Sequence, residues 1–226
     1  MNDIASTIQQ IATVFPIFLI AIIFHEFAHG YVASWYGDDT AKDAGRLTFN
    51  PVPHIDPIGT LVLPIVMMAT GTNFLFGWAV PVPINPNRFR KYRPGLFWVS
   101  FAGPIMNFLL ANVSAFILML IMSFMSRDSG FYEPAINMCV SSITLNYALA
   151  FFNLIPLPPL DGSKMVQSFL SYQATQKYES ISQYSFWILM ALMFTGAIQI
   201  IAYPIHFFSR GTLWIYASIF ELFLGA

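Results

Sequence analysis

The sequence predicts an all-α polytopic membrane protein formed by a single domain, residues 1–226. Of the 226 residues, 57% are hydrophobic and only 9% are charged. A water-soluble domain has about 25% charged residues, so this chain lacks the polar side chains to cover its surface. Several apolar runs reach the length of about 20 residues that a bilayer requires. The formal net charge of −1 gives no basic surface for nucleic acid, so no nucleic-acid partner is expected.

The first apolar run extends from about Ile8 to Tyr36 and contains the sequence HEFAHG. Residues four apart share a helix face, so His25 and His29 direct their imidazoles to one point, with Glu26 about 100° around the helix. This is the H-E-x-x-H pattern, in which two neutral imidazoles suit zinc and a carboxylate takes a proton from water. Three ionisable groups inside an apolar helix are costly, which favours a functional site over a chance pattern.

The region that follows, residues 38–86, combines a polar stretch rich in turn residues with two short apolar stretches. Residues 47–49 favour a short β-strand. Residues 57–70 and 74–86 are apolar but too short to span comfortably, and both contain proline. Such a pair favours a re-entrant hairpin, which protein or a water-filled cavity must cover. The alternative is a bent transmembrane helix followed by an interfacial loop.

The rest of the chain contains further predicted helices. Residues 95–123 and 134–154 form two full spans, which complete a core of three transmembrane helices. Another span is expected over about residues 184–203. Residues 212–224 are apolar but short and contain Glu221, so they either cross at a tilt or lie along the surface. The catalytic core is thus expected at about residues 8–165, with one or two additional helices within residues 184–224.

The basic residues predict the orientation of the protein in the cell membrane. If the predicted spans are traced in order, eight of the ten Lys and Arg lie on one side, which the positive-inside tendency makes cytoplasmic. The N-terminus is then outside, and His25 and His29 lie in the cytoplasmic half of the bilayer. The eight residues are Lys42, Arg46, Arg88, Arg90, Lys91, Arg93, Lys164 and Lys177.

A catalytic zinc site needs a third protein ligand besides the two histidines, because catalytic zinc takes three protein ligands and leaves one position for water. Among the acidic residues, Asp161 lies at the end of an apolar span and at the same depth, after prolines that break the helix. Its alternative role is that of a helix N-cap. His54, in a loop, is the rival third ligand, and His206 is expected at the membrane interface.

Three motifs carry a resemblance to a known family. HEFAHG, then AGPIMN at residues 102–107 and NLIPLPPLDG at residues 153–162, together resemble the site-2 proteases, which are intramembrane zinc metalloproteases. The resemblance covers roughly residues 15–165. The stretches GRLTFNP, HIDPIGT and FGWAVPVPIN are similar to the compact bacterial branch without a PDZ or CBS domain.

The resemblance implies one Zn²⁺ per chain, held by His25, His29 and Asp161, with Glu26 as the general base. It implies that Asn153 lines the site and helps to place the scissile peptide. The substrates it implies are transmembrane helices of membrane proteins, often trimmed first by another protease and then cut within or near the membrane, as in regulated intramembrane proteolysis. Three residues are implied to shape the core beside the metal, the last of them also lining the substrate site: Gly103, Pro104 and Asn107.

Substrate docking is expected to involve an exposed backbone edge, because a substrate helix must unwind before its carbonyls are open to attack. An extended peptide adds to such an edge by strand addition, and residues 76–85 are the hypothesised edge. This hypothesis assigns substrate binding to Gly77, Trp78, Val80 and Val82. It predicts that proline at Val80 or Val82 blocks cleavage and leaves zinc bound.

Other functions are compatible with parts of the pattern. A membrane metal-ion transporter or binding protein is the main alternative, because intramembrane His and Asp also mark ion pathways. It would use Glu26 as a ligand, and it predicts polar residues along several spans, whereas here they gather at one depth. An inactive relative that binds membrane helices and a zinc enzyme acting on lipid are two further alternatives.

Overall fold

Helices account for most of the structure, a computed structural model that describes residues 4–70 and 77–224. Within these ranges nine α-helices are present and no β-strand. The helices are α1 (Ile4–Trp35), α2 (Thr40–Asp43), α3 (Leu63–Ala69), α4 (Tyr92–Phe124), α5 (Tyr132–Asn153), α6 (Asp161–Gln167), α7 (Tyr172–Glu179), α8 (Ser185–Phe194) and α9 (Ala202–Leu224).

Helices α1, α4 and α5 are the three that, in the described ranges, are individually long and apolar enough to cross a membrane. Helix α4 packs against both α1 and α5, and α1 also contacts α5. Small residues let helices approach closely in lipid, where apolar side chains gain little by leaving the bilayer. The predicted three-helix core is therefore confirmed. Fully buried alanines occur in all three helices: Ala21, Ala33, Ala111, Ala115 and Ala150.

The connection from α1 to α3 is a series of short turns. Residues 47–49 form bends, so the predicted strand there is wrong. The reason is local hydrogen bonding: the carbonyl of Thr48 accepts from Nε2 of His54 at 3.0 Å, and its hydroxyl accepts from the N–H of Asn50 at 3.1 Å. A π-helical turn at Pro57–Val62 then leads into α3, and the Asp56 carboxylate caps it.

The segment 77–85 returns along the turn that precedes α3. The N–H of Trp78 donates to the carbonyl of Gly59 at 3.1 Å, and the N–H of Val80 donates to the carbonyl of His54 at 2.9 Å. A helical arm and a non-helical return thus lie side by side, and their re-entry into the bilayer stays a prediction. Residues 71–76, which join the two arms, lie outside the described ranges.

The C-terminal region does not form the continuous helix predicted over residues 184–203. Helix α8 ends at Phe194, and Gly196 adopts a left-handed conformation with φ of 72°, which glycine accepts without steric cost. A 3₁₀ turn follows, and the helical stretches on the two sides of the break meet at 85°. The second stretch, α9, begins before the predicted 212–224 segment, and its Tyr216 and Phe220 pack on α4 and α5.

Candidate active site

Two histidines of α1 and one carboxylate of α6 meet in the interior of the helical core. Nε2 of His25 lies 3.1 Å from Oδ2 of Asp161, and Nε2 of His29 lies 3.2 Å from the same oxygen. All three side chains are buried, and their ligand atoms lie within 4.8 Å of one another. No other group of three His, Cys, Asp or Glu side chains with this geometry occurs among the described residues.

The other ring nitrogen of each histidine is hydrogen-bonded to α4. Nδ1 of His25 donates to Oδ1 of Asn107 at 2.6 Å, and Nδ1 of His29 donates to the carbonyl of Val99 at 2.6 Å. Both acceptors fix the tautomer in which Nδ1 carries the proton, so each Nε2 presents a lone pair. Outer hydrogen bonds of this kind orient histidines that bind metals.

This arrangement fits a zinc ion. Each Nε2 lies about 3 Å from Oδ2 of Asp161, and such a nitrogen lone pair and a carboxylate oxygen repel unless a proton or a cation lies between them. Two imidazoles and one carboxylate are a usual three-ligand set for catalytic zinc. We conclude that His25, His29 and Asp161 have the donor atoms, burial and supporting hydrogen bonds to hold the metal.

Asn107 belongs to a buried polar network that sequence reasoning found only in part. Its Nδ2 donates to Oδ1 of Asn146 at 2.9 Å and to the carbonyl of Ala21 at 3.3 Å. Asn146 in turn donates to the carbonyl of Ser142 at 2.9 Å. The signal for Asn146 was its position as an amide inside an apolar span, where polar side chains are rare. Asn107 therefore supports the His25 ring and does not line either cavity described below.

Gly103 gives the two imidazoles their space. A Cβ at this position would lie 2.5 Å from Cε1 and Nε2 of His25 and from Nε2 of His29. These contacts are far inside van der Waals distance, and the rings cannot retreat because each is hydrogen-bonded at its Nδ1. The next residue, Pro104, lies inside α4 without a backbone N–H to donate.

Asp161 reaches the histidines from the first turn of α6. The N-cap position of this helix is Leu160, and no side chain caps it, so Asp161 does not play the alternative role of N-cap. Gly162 allows the turn to close, because a Cβ there would lie 2.3 Å from the carbonyl oxygen of Leu154. The hydroxyl of Tyr178 donates to the carbonyl of Pro156 at 2.6 Å and ties α7 to this turn, and burial raises the pKa of its phenol.

Glu26 lies beside the group of three but is not one of its members. Its Oε2 accepts a hydrogen bond from the backbone N–H of Val82 at 2.8 Å. The side chain is half-buried, and it forms part of the wall of two cavities. A carboxylate in this place has both a fixed orientation and access to solvent or substrate.

The two cavities meet at the candidate site, where they share His25, Glu26 and Asn153. The first, of about 400 Å³, continues between apolar side chains, and we call it the apolar cavity. The second, of about 340 Å³, leads to charged and polar side chains, and we call it the polar cavity. The apolar cavity is lined by Phe18, Ile22, Leu145, Leu149 and Leu189, and the polar cavity by Lys164, Gln167 and Glu179.

The residues assigned to substrate binding lie around these cavities in different ways. Asn153 lines both cavities and donates to the carbonyl of Leu149 at 3.0 Å. Gly77 and Trp78 line the apolar cavity. Val82 lines the polar cavity, and Val80 lines neither.

The two remaining histidines lie away from the group of three. His54 is fully buried and donates from Nε2 to the carbonyl of Thr48, so its ring is used in the turn before α3. His206 is exposed on α9. Neither belongs to the group that has metal-binding geometry.

Comparison with known proteins agrees with the resemblance drawn from the motifs. The chain is 35% identical over 205 residues to "Putative zinc metalloprotease YwhC" of Bacillus subtilis (strain 168). These residues make up 90% of this chain and 90% of that protein. It is 29% identical to "Putative zinc metalloprotease Rip2" of Mycolicibacterium smegmatis over 80% of this chain and 66% of that protein.

A second protein named Rip2, from Mycobacterium tuberculosis (strain H37Rv), is 25% identical over 77% of this chain and 63% of its own length. No solved structure matches the chain significantly. The sequence profile described as Peptidase family M50 matches residues 126–196, the part that contains Asp161. Because the likeness to the Bacillus protein spans nearly the whole chain, the protein belongs to peptidase family M50, the site-2 protease family of zinc metalloproteases.

Proposed function

We propose that this protein is an intramembrane zinc endopeptidase that hydrolyses peptide bonds within or near the transmembrane segments of membrane proteins, as in regulated intramembrane proteolysis. The observation that carries the proposal is the position of Glu26. Its carboxylate stands beside the buried group formed by His25, His29 and Asp161 and borders both cavities. A base next to a metal site, at the junction of an apolar and a polar cavity, suits hydrolysis of an apolar peptide.

One zinc ion per chain would be held by His25, His29 and Asp161. Zinc in such a site acts as a Lewis acid that polarises a peptide carbonyl and makes a water molecule acidic enough to ionise near neutral pH. The protein contributes the fixed histidine tautomers, through Asn107 and the carbonyl of Val99, and the burial of the three ligand side chains.

Glu26 serves as the general base and then as the general acid. Its carboxylate accepts a proton from the attacking water and returns it to the nitrogen of the leaving amine. The hydrogen bond from the Val82 N–H uses Oε2, and Oε1 accepts no hydrogen bond from the described residues. Proton transfer is therefore assigned to the oxygen that is open to the cavities.

The substrate would occupy the apolar cavity as an unwound segment of a transmembrane helix. The cavity wall consists of aliphatic and aromatic side chains of α1, α5 and α8, which suit the side chains of a membrane-spanning peptide. Asn153 lies where this cavity joins the polar cavity and has an amide that can bind the backbone of a peptide. In this proposal another protease trims the substrate before it enters the cavity.

Segment 77–85 offers only one of its two backbone edges to a substrate. The N–H groups of Trp78, Val80 and Val82 are used by Gly59, His54 and Glu26, respectively. Ala79 makes no hydrogen bond among the described residues and lines the apolar cavity, so its N–H and C=O are the groups we assign to strand addition. Proline at Val80 or Val82 would instead break an internal hydrogen bond.

Orientation in the cell membrane follows from the positive-inside tendency. The loop after α1, the residues that lead into and begin α4 and the segment from α6 to α7 lie at the same end of the three-helix core, and they contain eight of the ten basic residues. We assign this end to the cytoplasm. The active site then lies in the cytoplasmic half of the bilayer and the N-terminus outside.

The test of this function is cleavage of a defined membrane peptide by protein purified in detergent. The probe contains about 20 apolar residues, with a central Gly-Ser pair to weaken the helix and a fluorophore and quencher at its ends. We expect the wild-type protein to cut the probe near its centre, and Glu26→Gln to leave it intact while still binding zinc. Equal rates for the two proteins would contradict the proposal.

A further inference from the structure

Segment 77–85 bears directly on the orientation of the general base. The N–H of Val82 donates to Oε2 of Glu26 at 2.8 Å, and hydrogen bonds to a charged acceptor are stronger than those between neutral groups. This is the one hydrogen bond that the Glu26 carboxylate accepts from the described residues. The place of its carboxylate therefore depends on where segment 77–85 lies against α1.

Contact between this segment and α1 depends on Gly30. Gly30 follows Glu26 by four residues, so the two lie on the same face of α1. A Cβ at Gly30 would lie 3.0 Å from Cγ1 of Val82, 3.1 Å from Cβ of Ala41 and 3.3 Å from Cδ1 of Leu47. The missing side chain lets Val82 pack closely on the helix, and Val82 is buried as a result.

Arg46 holds the same segment two residues earlier. Its NH2 nitrogen donates to the carbonyl of Val80 at 2.7 Å and to that of Pro81 at 3.3 Å. No carboxylate lies within 4 Å of the Arg46 guanidinium among the described residues. A partly buried cation that is bound by backbone carbonyls alone has no ion pair to explain its place, and its position is best accounted for by fixing this backbone.

The far end of the segment is attached as well. The N–H of Asn85 donates to Oδ2 of Asp38 at 2.6 Å, and Asp38 is almost completely buried. Arg46 and Asp38 both belong to the region just after α1. Val82 thus lies between two anchors, Arg46 at Val80 and Asp38 at Asn85.

We propose that Arg46 and Gly30 are positioning residues of the peptidase: they fix segment 77–85 on α1, and the segment orients Glu26 through the Val82 N–H. This inference rests on the proposed function, in which Glu26 is the general base. Neither residue lies in the group that would hold the metal. Their substitution therefore lowers turnover without releasing zinc.

The test uses the full-length protein in detergent and compares Arg46→Met, Arg46→Lys and Gly30→Ala with Arg127→Met. Arg127 lies in the loop between α4 and α5 and serves as the matched control. Three quantities are measured: zinc per chain, amide hydrogen exchange of peptides that cover residues 77–85, and kcat and KM per bound zinc on the fluorogenic apolar peptide described above.

For Arg46→Met we expect full zinc content, exchange of the Val80 and Val82 amides about tenfold faster or more, and a kcat per bound zinc about 10- to 100-fold lower. Gly30→Ala should lower kcat per bound zinc by a smaller factor, because the side chain of Val82 has to move only slightly, and it should retain zinc. Arg46→Lys should recover most of the activity, because a single Arg46 nitrogen makes both hydrogen bonds and an ammonium can replace it. Arg127→Met should match the wild-type protein in all three quantities.

Unchanged exchange in Arg46→Met, or an unchanged kcat per bound zinc, would overturn the inference. Loss of zinc in step with activity would also overturn it, because the residues would then support the metal site and not the base. The proposed function fails separately, if the wild-type protein and Glu26→Gln behave alike on the probe while the exchange result is as expected.

Discussion

Oδ1 of Asn107 lies 2.6 Å from Nδ1 of His25, and this contact joins the middle of α4 to the first histidine of the HEFAHG motif. Asn107 is fully buried, and its Nδ2 is bound by Asn146 and the carbonyl of Ala21. The amide cannot rotate without losing these partners. The His25 ring is thereby held with Nε2 directed at Asp161.

Replacement of Asn107 should therefore weaken metal binding. We expect Asn107→Leu to lower zinc affinity about 10- to 100-fold, the usual cost of losing an outer hydrogen bond to a ligating histidine. Competition with a zinc chelator measures the affinity. Asn112→Leu is the matched control, because Asn112 donates to the carbonyl of Phe108 and does not touch the histidines. Equal affinity of the Asn107 variant and the wild-type protein would refute this role.

Gly103 should tolerate no side chain. A methyl group at this position would lie 2.5 Å from both imidazoles, so we expect Gly103→Ala to displace the rings and lose most of the zinc. Gly211→Ala, in α9, is the control because its Cβ would meet nothing within 4 Å. Zinc analysis of the two purified variants decides the matter. If Gly103→Ala keeps its zinc, the imidazoles are not confined by α4 in the way we describe.

Substrate docking at Ala79 predicts a difference between two substitutions at one position. Ala79→Pro removes the N–H that we assign to the substrate, whereas Ala79→Ser keeps it. We expect the proline variant to raise KM for the apolar probe peptide about tenfold, the effect of losing about 1.4 kcal/mol of binding, with zinc content unchanged. The serine variant should resemble the wild-type protein. A proline variant with normal KM would place substrate binding elsewhere.

Much of the candidate site could be anticipated from the sequence because its signals are local. The spacing of His25 and His29 is a property of one helix, and the prolines before Asp161 end a span at the depth of the histidines. The three-helix core follows from apolar length alone. These features need no knowledge of contacts between distant parts of the chain.

Other features of the site depend on contacts between distant segments and were not predicted. Val99 contributes only a backbone carbonyl to His29, which no sequence motif reveals. Asn146 binds Asn107 from 39 residues away. The N–H of Val82 was expected to bind substrate, but it donates to Glu26, which lies 56 residues earlier in the chain. The break at Gly196 was not predicted because one glycine in a mostly apolar stretch does not by itself end a helix.

The most direct test of the account is the zinc content per chain of three purified proteins: wild type, Glu26→Gln and Asp161→Ala. We expect about one zinc in the wild type and in Glu26→Gln, and loss of most of it in Asp161→Ala, because catalytic zinc takes three protein ligands and leaves the base free. If Glu26→Gln lost the metal and Asp161→Ala kept it, Glu26 would be a ligand. That result would contradict the assigned roles and favour a metal transporter over a peptidase.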